Sequence, residues 1–154
     1  MSRKFRTVVV DDEQYAVDFI ISVIGEYCPE LEVAGKANNV TEGIEVIEKE
    51  KPDLVLLDVE MPNGTGFDLL SHFPEKNFDV IFITAFNHYA IKAIKFSAVD
   101  YILKPININE FVEAVSRVIR KQTDSNIRLN EKFRILMENL RTPTPSRLAI
   151  PTAE

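Results

Sequence analysis

Asp11-Asp12, Asp58, Thr84 and Lys104 each stand at the end of a short apolar run. The runs are Thr7–Val10, Leu54–Leu57, Val80–Thr84 and Val99–Leu103. Three carboxylates, one hydroxyl and one ammonium group gathered at one mouth would have a definite chemistry. Crowded carboxylates repel unless a cation joins them. A hard divalent ion held by a few carboxylates, a carbonyl and waters is the magnesium pattern. Magnesium also cancels charge on a phosphoryl group and lets an anionic carboxylate attack it. The central Asp58 is then the nucleophile, giving an aspartyl phosphate. Lys104, a mobile point charge, can pair with one phosphoryl oxygen, and Thr84 can donate a hydrogen bond to another. No general base is needed, because an ionised carboxylate has no proton to lose.

Taken singly, each residue has a plainer role. Asp11-Asp12-Glu13 suits a helix start, where acids and Asp caps are favoured. Met61-Pro62-Asn63-Gly64 reads as a turn. Thr84 fits a strand as a β-branched residue, and Lys104-Pro105 fits a solvated loop. Their joint placement at strand ends argues against coincidence.

The elements that must position them follow from periodicity. A fifth run, Leu31–Ala34, is thinner and reads as an edge strand; the other four are nearly continuous in apolar residues, as strands buried on both faces are. Val17, Ile20, Ile21 and Ile24 lie at helical spacing, Ile44 and Ile47 repeat the step, and Phe111, Val112, Val115, Val118 and Ile119 form the cleanest stripe. Shorter helices are expected near residues 66–73 and 87–96. Strand and helix alternate five times and end near Gln122. This predicts an α/β fold: a doubly wound, five-stranded parallel sheet in the order 2-1-3-4-5, with right-handed crossovers. In such a sheet a ligand sits at the carboxyl ends of the strands beside the switch point, between strands 1 and 3.

Composition bounds the rest. The chain has 154 residues, 45% apolar and 27% charged, which suits one globular domain. Its 18 basic and 24 acidic residues give a net charge of −6, so bulk attraction to nucleic-acid phosphates is disfavoured. One cysteine, Cys28, excludes an internal disulfide and any multi-cysteine zinc site. It precedes Pro29 and reads as an inert loop thiol. No apolar run approaches the roughly 18 residues of a membrane span, and Asp11 ends the only run near the amino terminus. A cytoplasmic location is expected.

Asp58-Val59-Glu60-Met61-Pro62-Asn63-Gly64-Thr65-Gly66, with Asp11-Asp12, Thr84-Ala85 and Lys104-Pro105, resembles the receiver domain of two-component response regulators. The resemblance covers residues 4–122. It implies phosphoryl transfer from a sensor histidine kinase to Asp58, in a phosphoacceptor rather than an enzyme. It implies Mg2+ held by Asp12, Asp58 and the main-chain carbonyl of Glu60, with Asp11 orienting metal-bound water. Thr84 and Lys104 would hold the phosphoryl oxygens, and Lys104–Pro105 would be cis. Tyr101 matches an aromatic switch that turns inward when the threonine moves. Glu60 and Phe86 would flank the path of hydrolytic water and prolong the phosphorylated state. A homodimer on activation is also implied.

A narrower resemblance links Phe82–Ile94 and Ser97–Pro105 to receivers that precede LytTR-type DNA-binding domains. Residues 123–154 then read as a helical linker and the start of a missing output domain, whose first strand would be Leu148–Thr152. DNA would be bound only through that domain. Within the linker, Leu129, Phe133, Leu136 and Leu140 form a heptad-like seam on a helix over 126–141. It could dock on its own domain or pair with a second chain. His72 and His88 read as surface helix residues.

Two other classes stay in view. A pseudo-receiver would take no phosphoryl group. A haloacid-type hydrolase also uses a nucleophilic Asp with a second acid two residues on, as Glu60 stands here, but needs a cap, a longer chain and a nucleophile after its first strand.

Overall fold

A computed structural model describes residues 4–121 and residue 137. Its elements run β1 (Phe5–Val10), α1 (Gln14–Tyr27), β2 (Leu31–Ala37), α2 (Val40–Glu50), β3 (Leu54–Leu57), β4 (Glu60–Met61), β5 (Gly64–Thr65), α3 (Gly66–Ser71), β6 (Asp79–Thr84), α4 (Ala90–Lys95), β7 (Asp100–Leu103) and α5 (Ile108–Lys121). The main sheet has the order β2-β1-β3-β6-β7, all parallel. This is the doubly wound order expected, with the small β4–β5 hairpin added after β3. The seam at 129–140, the rest of the helix expected over 126–141 and the strand-like segment at 148–152 lie outside the described residues. Residue contacts divide the chain into two units, Met1–Ile119 and Arg120–Glu154. Among the described residues no helix is long and apolar enough to cross a membrane.

Alternation along the strands builds two cores. Val9, Leu54, Leu56, Ile81, Ile83 and Ile102 face α1 and α5, where they meet Ile20, Ile24, Phe111 and Val115. Their neighbours Val8, Val10, Val55, Leu57, Val80 and Phe82 face the other side and meet Ile47, Phe67, Leu69 and Ala93. A strand's period of two sends adjacent side chains to opposite faces. Cys28 lies in the first core and is 1% exposed, so it is a core residue at the end of α1 rather than a loop thiol. Burial, then the charge of Glu30, pushes its pKa up to about 11, which keeps it a poor nucleophile.

Two boundaries differ from expectation. β2 runs on to Ala37, because backbone pairing with β1 continues through Gly35, Lys36 and Ala37 after an irregularity between Thr7 and Val8. The stretch beginning at Met61 is more than a turn: Glu60 pairs with Thr65 and Met61 with Gly64, with Pro62-Asn63 at the tip.

The start of α3 is tightly specified. Thr65 and Asp68 form a capping box, each side chain accepting from the other's backbone N–H. Gly66 lies between them and donates its N–H to Val59 O at 2.7 Å. A Cβ on Gly66 would lie 2.5 Å from the Asp58 carbonyl oxygen and 3.0 Å from Leu57 Cγ. Both obstacles are firm, one backbone and one core. Gly66→Ala should therefore cost about 1–3 kcal/mol, the usual range for overpacking. Urea unfolding of the purified variant measures this; an unchanged midpoint would show that the backbone after β3 gives way freely.

At the far end of the same face, α4 is six residues long, and no side chain caps its start at Tyr89. Its other end is tied. Lys76 Nζ, from the segment before β6, donates to Phe96 O at 3.0 Å, satisfying a carbonyl that the helix leaves open.

Candidate functional site

β3 lies between β1 and β6, so the residue that follows it emerges at the middle of the sheet's carboxyl edge. That residue is Asp58, 6% exposed. Its backbone N–H donates to Val10 O, and its Oδ1 accepts from the Val59 N–H at 2.7 Å. Oδ2 faces Lys104 Nζ at 3.2 Å. Asp11 follows β1 and is 1% exposed. Its Oδ1 accepts from the Glu13 N–H at 2.9 Å. Its Oδ2 lies 2.9 Å from Lys104 Nζ, but no aligned donor reaches it. Asp12 is exposed beside them. One oxygen from each of Asp11, Asp12 and Asp58 lies within 4.8 Å of the others.

Lys104 closes the cluster from β7. The peptide that joins it to Pro105 is cis. Its ammonium meets Asp11, Asp58 and also Glu13, whose Oε1 lies 3.1 Å away. Burial alone would lower the lysine's pKa, but hydrogen bonding and charge from these carboxylates outweigh it and raise it. Asp11 is pushed up to about 6, chiefly by burial and further by the charge of Asp58. The Glu13 N–H and Lys104 pull in the other direction. A buried carboxyl with a like charge beside it is a site short of positive charge.

Thr84 ends β6 and is fully buried. Its Oγ1 accepts a long hydrogen bond, 3.4 Å, from the Phe86 N–H. Tyr101 is half-buried on β7. Its ring packs 6.1 Å from that of Phe82, and its hydroxyl donates to Phe86 O. Burial is the main cause that pushes its pKa up to about 12. Glu60 stands in β4 with an exposed side chain that accepts from the Tyr89 hydroxyl.

The structure therefore brings Asp11, Asp12, Asp58 and Lys104 together, with Thr84 ending the strand beside β3. It also corrects two plainer readings. Glu13 occupies the cap position of α1, yet no side chain caps that helix, and α1 has no acid in its first turn. The acidic run serves the edge of the sheet instead. His88 lies in the turn before α4 rather than on a helix, against Tyr89 and Phe86. His72 ends α3, its Nε2 3.0 Å from Glu48 Oε2. Sequence reasoning missed Glu13 as a partner of Lys104 and Tyr89 as a partner of Glu60. A carboxylate two residues after Asp11 was the only hint of the first.

Residues 7–116 match the response regulator receiver domain model. The chain belongs to this family. As a receiver it resembles an uncharacterized response regulatory protein of Vibrio cholerae, 37% identical over 77% of this chain and 50% of that protein. It also resembles the sensory transduction protein LytT of Bacillus anthracis, 33% identical over 84% of this chain and 52% of LytT. The chain spans about half the length of the curated relatives it matches. Among solved structures, the REC domain of AraT, a response regulator from Geobacillus stearothermophilus, superposes with a TM-score of 0.70. It is 28% identical, over 77% of this chain and 95% of that one. Receivers are regulatory phosphoacceptor domains rather than enzymes in the ordinary sense, and the family gives this chain a phosphorylation-dependent signalling role.

Proposed function

We propose that this receiver takes a phosphoryl group from a sensor histidine kinase onto Asp58, with Mg2+ at the acidic cluster. The observation that carries the reading is the meeting of Asp58 with Asp11, Asp12 and Lys104 at one edge of the sheet. A hard divalent cation suits the donors present: all are carboxylate oxygens, and buried Asp11 Oδ2 has no aligned donor. Asp12, Asp58 and the Glu60 main-chain carbonyl would hold it, with Asp11 orienting its water. When bound, the ion supplies positive charge that offsets the phosphoryl oxygens.

The chain's own residues do the rest. An oxygen of Asp58 attacks phosphorus, the P–N bond of the phosphohistidine breaks, and its electron pair stays on the imidazole, which takes a proton from water. Asp58 carries no proton to remove, so the reaction needs no base here. Lys104 exchanges its contact with Asp58 Oδ2 for a phosphoryl oxygen. Thr84 donates a hydrogen bond from its hydroxyl to another, and its movement frees room for Tyr101 to turn inward. The phosphorylated state would pair two chains in the cytoplasm and control a C-terminal transcriptional output region of the LytTR DNA-binding type. The likeness to LytT and the motif from Phe82 to Pro105 support that subgroup.

Incubation with a small acyl phosphate and Mg2+ tests the reading. The intact mass should rise by one phosphoryl group, and chelation of the metal should prevent the gain. The light-scattering mass should double with a fluoride mimic of the phosphoryl group. No mass gain would mark a pseudo-receiver; a monomer in both states would remove the pairing. Turnover of small phosphate esters would mark a hydrolase instead.

A further inference from the structure

The segment that leaves β6 is held from two sides. Tyr101 on β7 donates its hydroxyl to Phe86 O. On the other side Tyr89 donates its hydroxyl to Glu60 Oε2 at 2.5 Å. β3, β6 and β7 are consecutive strands, so one tie runs from the middle strand's exit segment to each neighbour. The position of the second tie is specific: Glu60 comes two residues after Asp58, and Tyr89 five after Thr84. Leu57 pairs with Phe82, so the two exit segments start side by side. The hydrogen bond joins them beyond Asp58 and Thr84, across the gap between the strands.

The donor is firmly placed. The half-buried Tyr89 ring lies 4.2 Å from His88, 5.9 Å from Phe67 and 6.4 Å from Phe86, centroid to centroid. Phe67 is itself buried, against Phe82 at 4.9 Å, with Lys92 Nζ 4.8 Å from its ring centre. An apolar ring body on this base leaves only the hydroxyl to reach outward, the usual division of a tyrosine. The acceptor is an anionic carboxylate, and hydrogen bonds to ionised groups are the stronger kind.

We propose that Tyr89 is a positioning residue that latches the β6–α4 segment to Glu60 and thereby slows loss of a phosphoryl group from Asp58. The inference rests on Asp58 being the phosphoacceptor. In hydrolysis a water oxygen joins phosphorus, the bond from phosphorus to the Asp58 oxygen breaks, and inorganic phosphate leaves with the carboxylate restored. That water must enter over the carboxyl edge. With the latch closed, the Glu60 carboxylate and the segment carrying Phe86 bridge the gap between β3 and β6. With the hydroxyl gone, the Glu60 carboxylate is free to swing away and the segment keeps only its tie to Tyr101.

The test uses the full 154-residue chain. It is phosphorylated with a small acyl phosphate and Mg2+, freed of donor, and its decay followed by intact mass. Tyr89→Phe keeps the ring and removes only the hydroxyl. Its decay should be about 3–10-fold faster than the parent's, a span set by one hydrogen bond to a partly solvated charge. Glu60→Ala should also decay faster, and adding Tyr89→Phe to it should change nothing, because the two act as one unit. Equal decay in Tyr89→Phe and parent overturns the latch. So does the same acceleration in the Glu60→Ala background, which would mean general loosening. A parent chain that gains no phosphoryl group overturns the assignment of Asp58 instead.

Discussion

Asp58→Asn should lower phosphoryl uptake by about a thousandfold or more, because a neutral amide is a poor nucleophile. The side chain is nearly isosteric, so the fold should survive. The amide oxygen of the variant could still accept from the Val59 N–H, the bond that orients the native carboxylate. What disappears is the negative charge that would attack phosphorus and that Lys104 now faces at 3.2 Å. Intact mass after incubation with a small acyl phosphate and Mg2+ provides the measurement, with circular dichroism as the control for folding. A phosphoryl group still gained by a folded Asp58→Asn chain would place the acceptor elsewhere.

The second large effect concerns Lys104. Lys104→Met keeps most of the length of the side chain and removes its charge. Asp11, 1% exposed, and Asp58, 6% exposed, would then share a pocket with no cation. Removing one partner of a buried pair costs several kcal/mol. The lysine side chain is 17% exposed, so water can reach the gap, and about 1–3 kcal/mol is expected. The variant's dependence on pH should identify the cause. In the native fold the Asp11 carboxyl is raised from 3.8 to about 6, burial being the chief reason. A carboxyl with a raised folded pKa binds its proton more tightly folded than unfolded. Its ionisation therefore destabilises the fold, fully so above about 6, and stability returns as pH falls towards 3.8. Lys104 is among the groups that hold the value down, so the variant should regain more on acidification than the parent does. Urea midpoints from about pH 7 to about pH 3, a window that spans both pKa values, in the presence of chelator would show this. Parallel curves for parent and variant would mean that the lysine is not what offsets these carboxylates.

The main sheet was legible because its strands are buried on both faces. Val8–Val10, Leu54–Leu57 and Val80–Ile83 are apolar at every position, a pattern no solvent-facing helix keeps. The end of β2 was not legible. Gly35 and Lys36 carry no apolar signal, and only hydrogen bonding to β1 makes them strand. The β4–β5 pair is two residues on each side, too short for any period. In the site, the residues that directly follow a strand could be read, because topology alone sends them to one edge. The contacts of Glu13 and Tyr89 could not. Glu13 meets Lys104 across 91 positions of sequence, and Tyr89 meets Glu60 across 29. Exposed tips that meet through folding leave no periodic trace. Tyr89 in particular stands in a run of aromatic residues that reads from sequence as packing alone.

The hydrogen bond from Lys76 to the carbonyl of Phe96, the cap residue after α4, gives that helix a fixed fulcrum. Its first turn lacks a capping side chain, and Ala93 is its only fully buried residue. An arm fastened at Phe96 and held at its other end through the Tyr89 hydroxyl swings rather than slides once that hydrogen bond breaks. At a rise of about 1.5 Å per residue the arm is roughly 9 Å long. Displacement is then largest at the end nearest Asp58 and dies away towards Phe96. Small shifts at the mouth are therefore converted into tilt of one short helix, while the strand that begins at Asp100 keeps its place in the sheet.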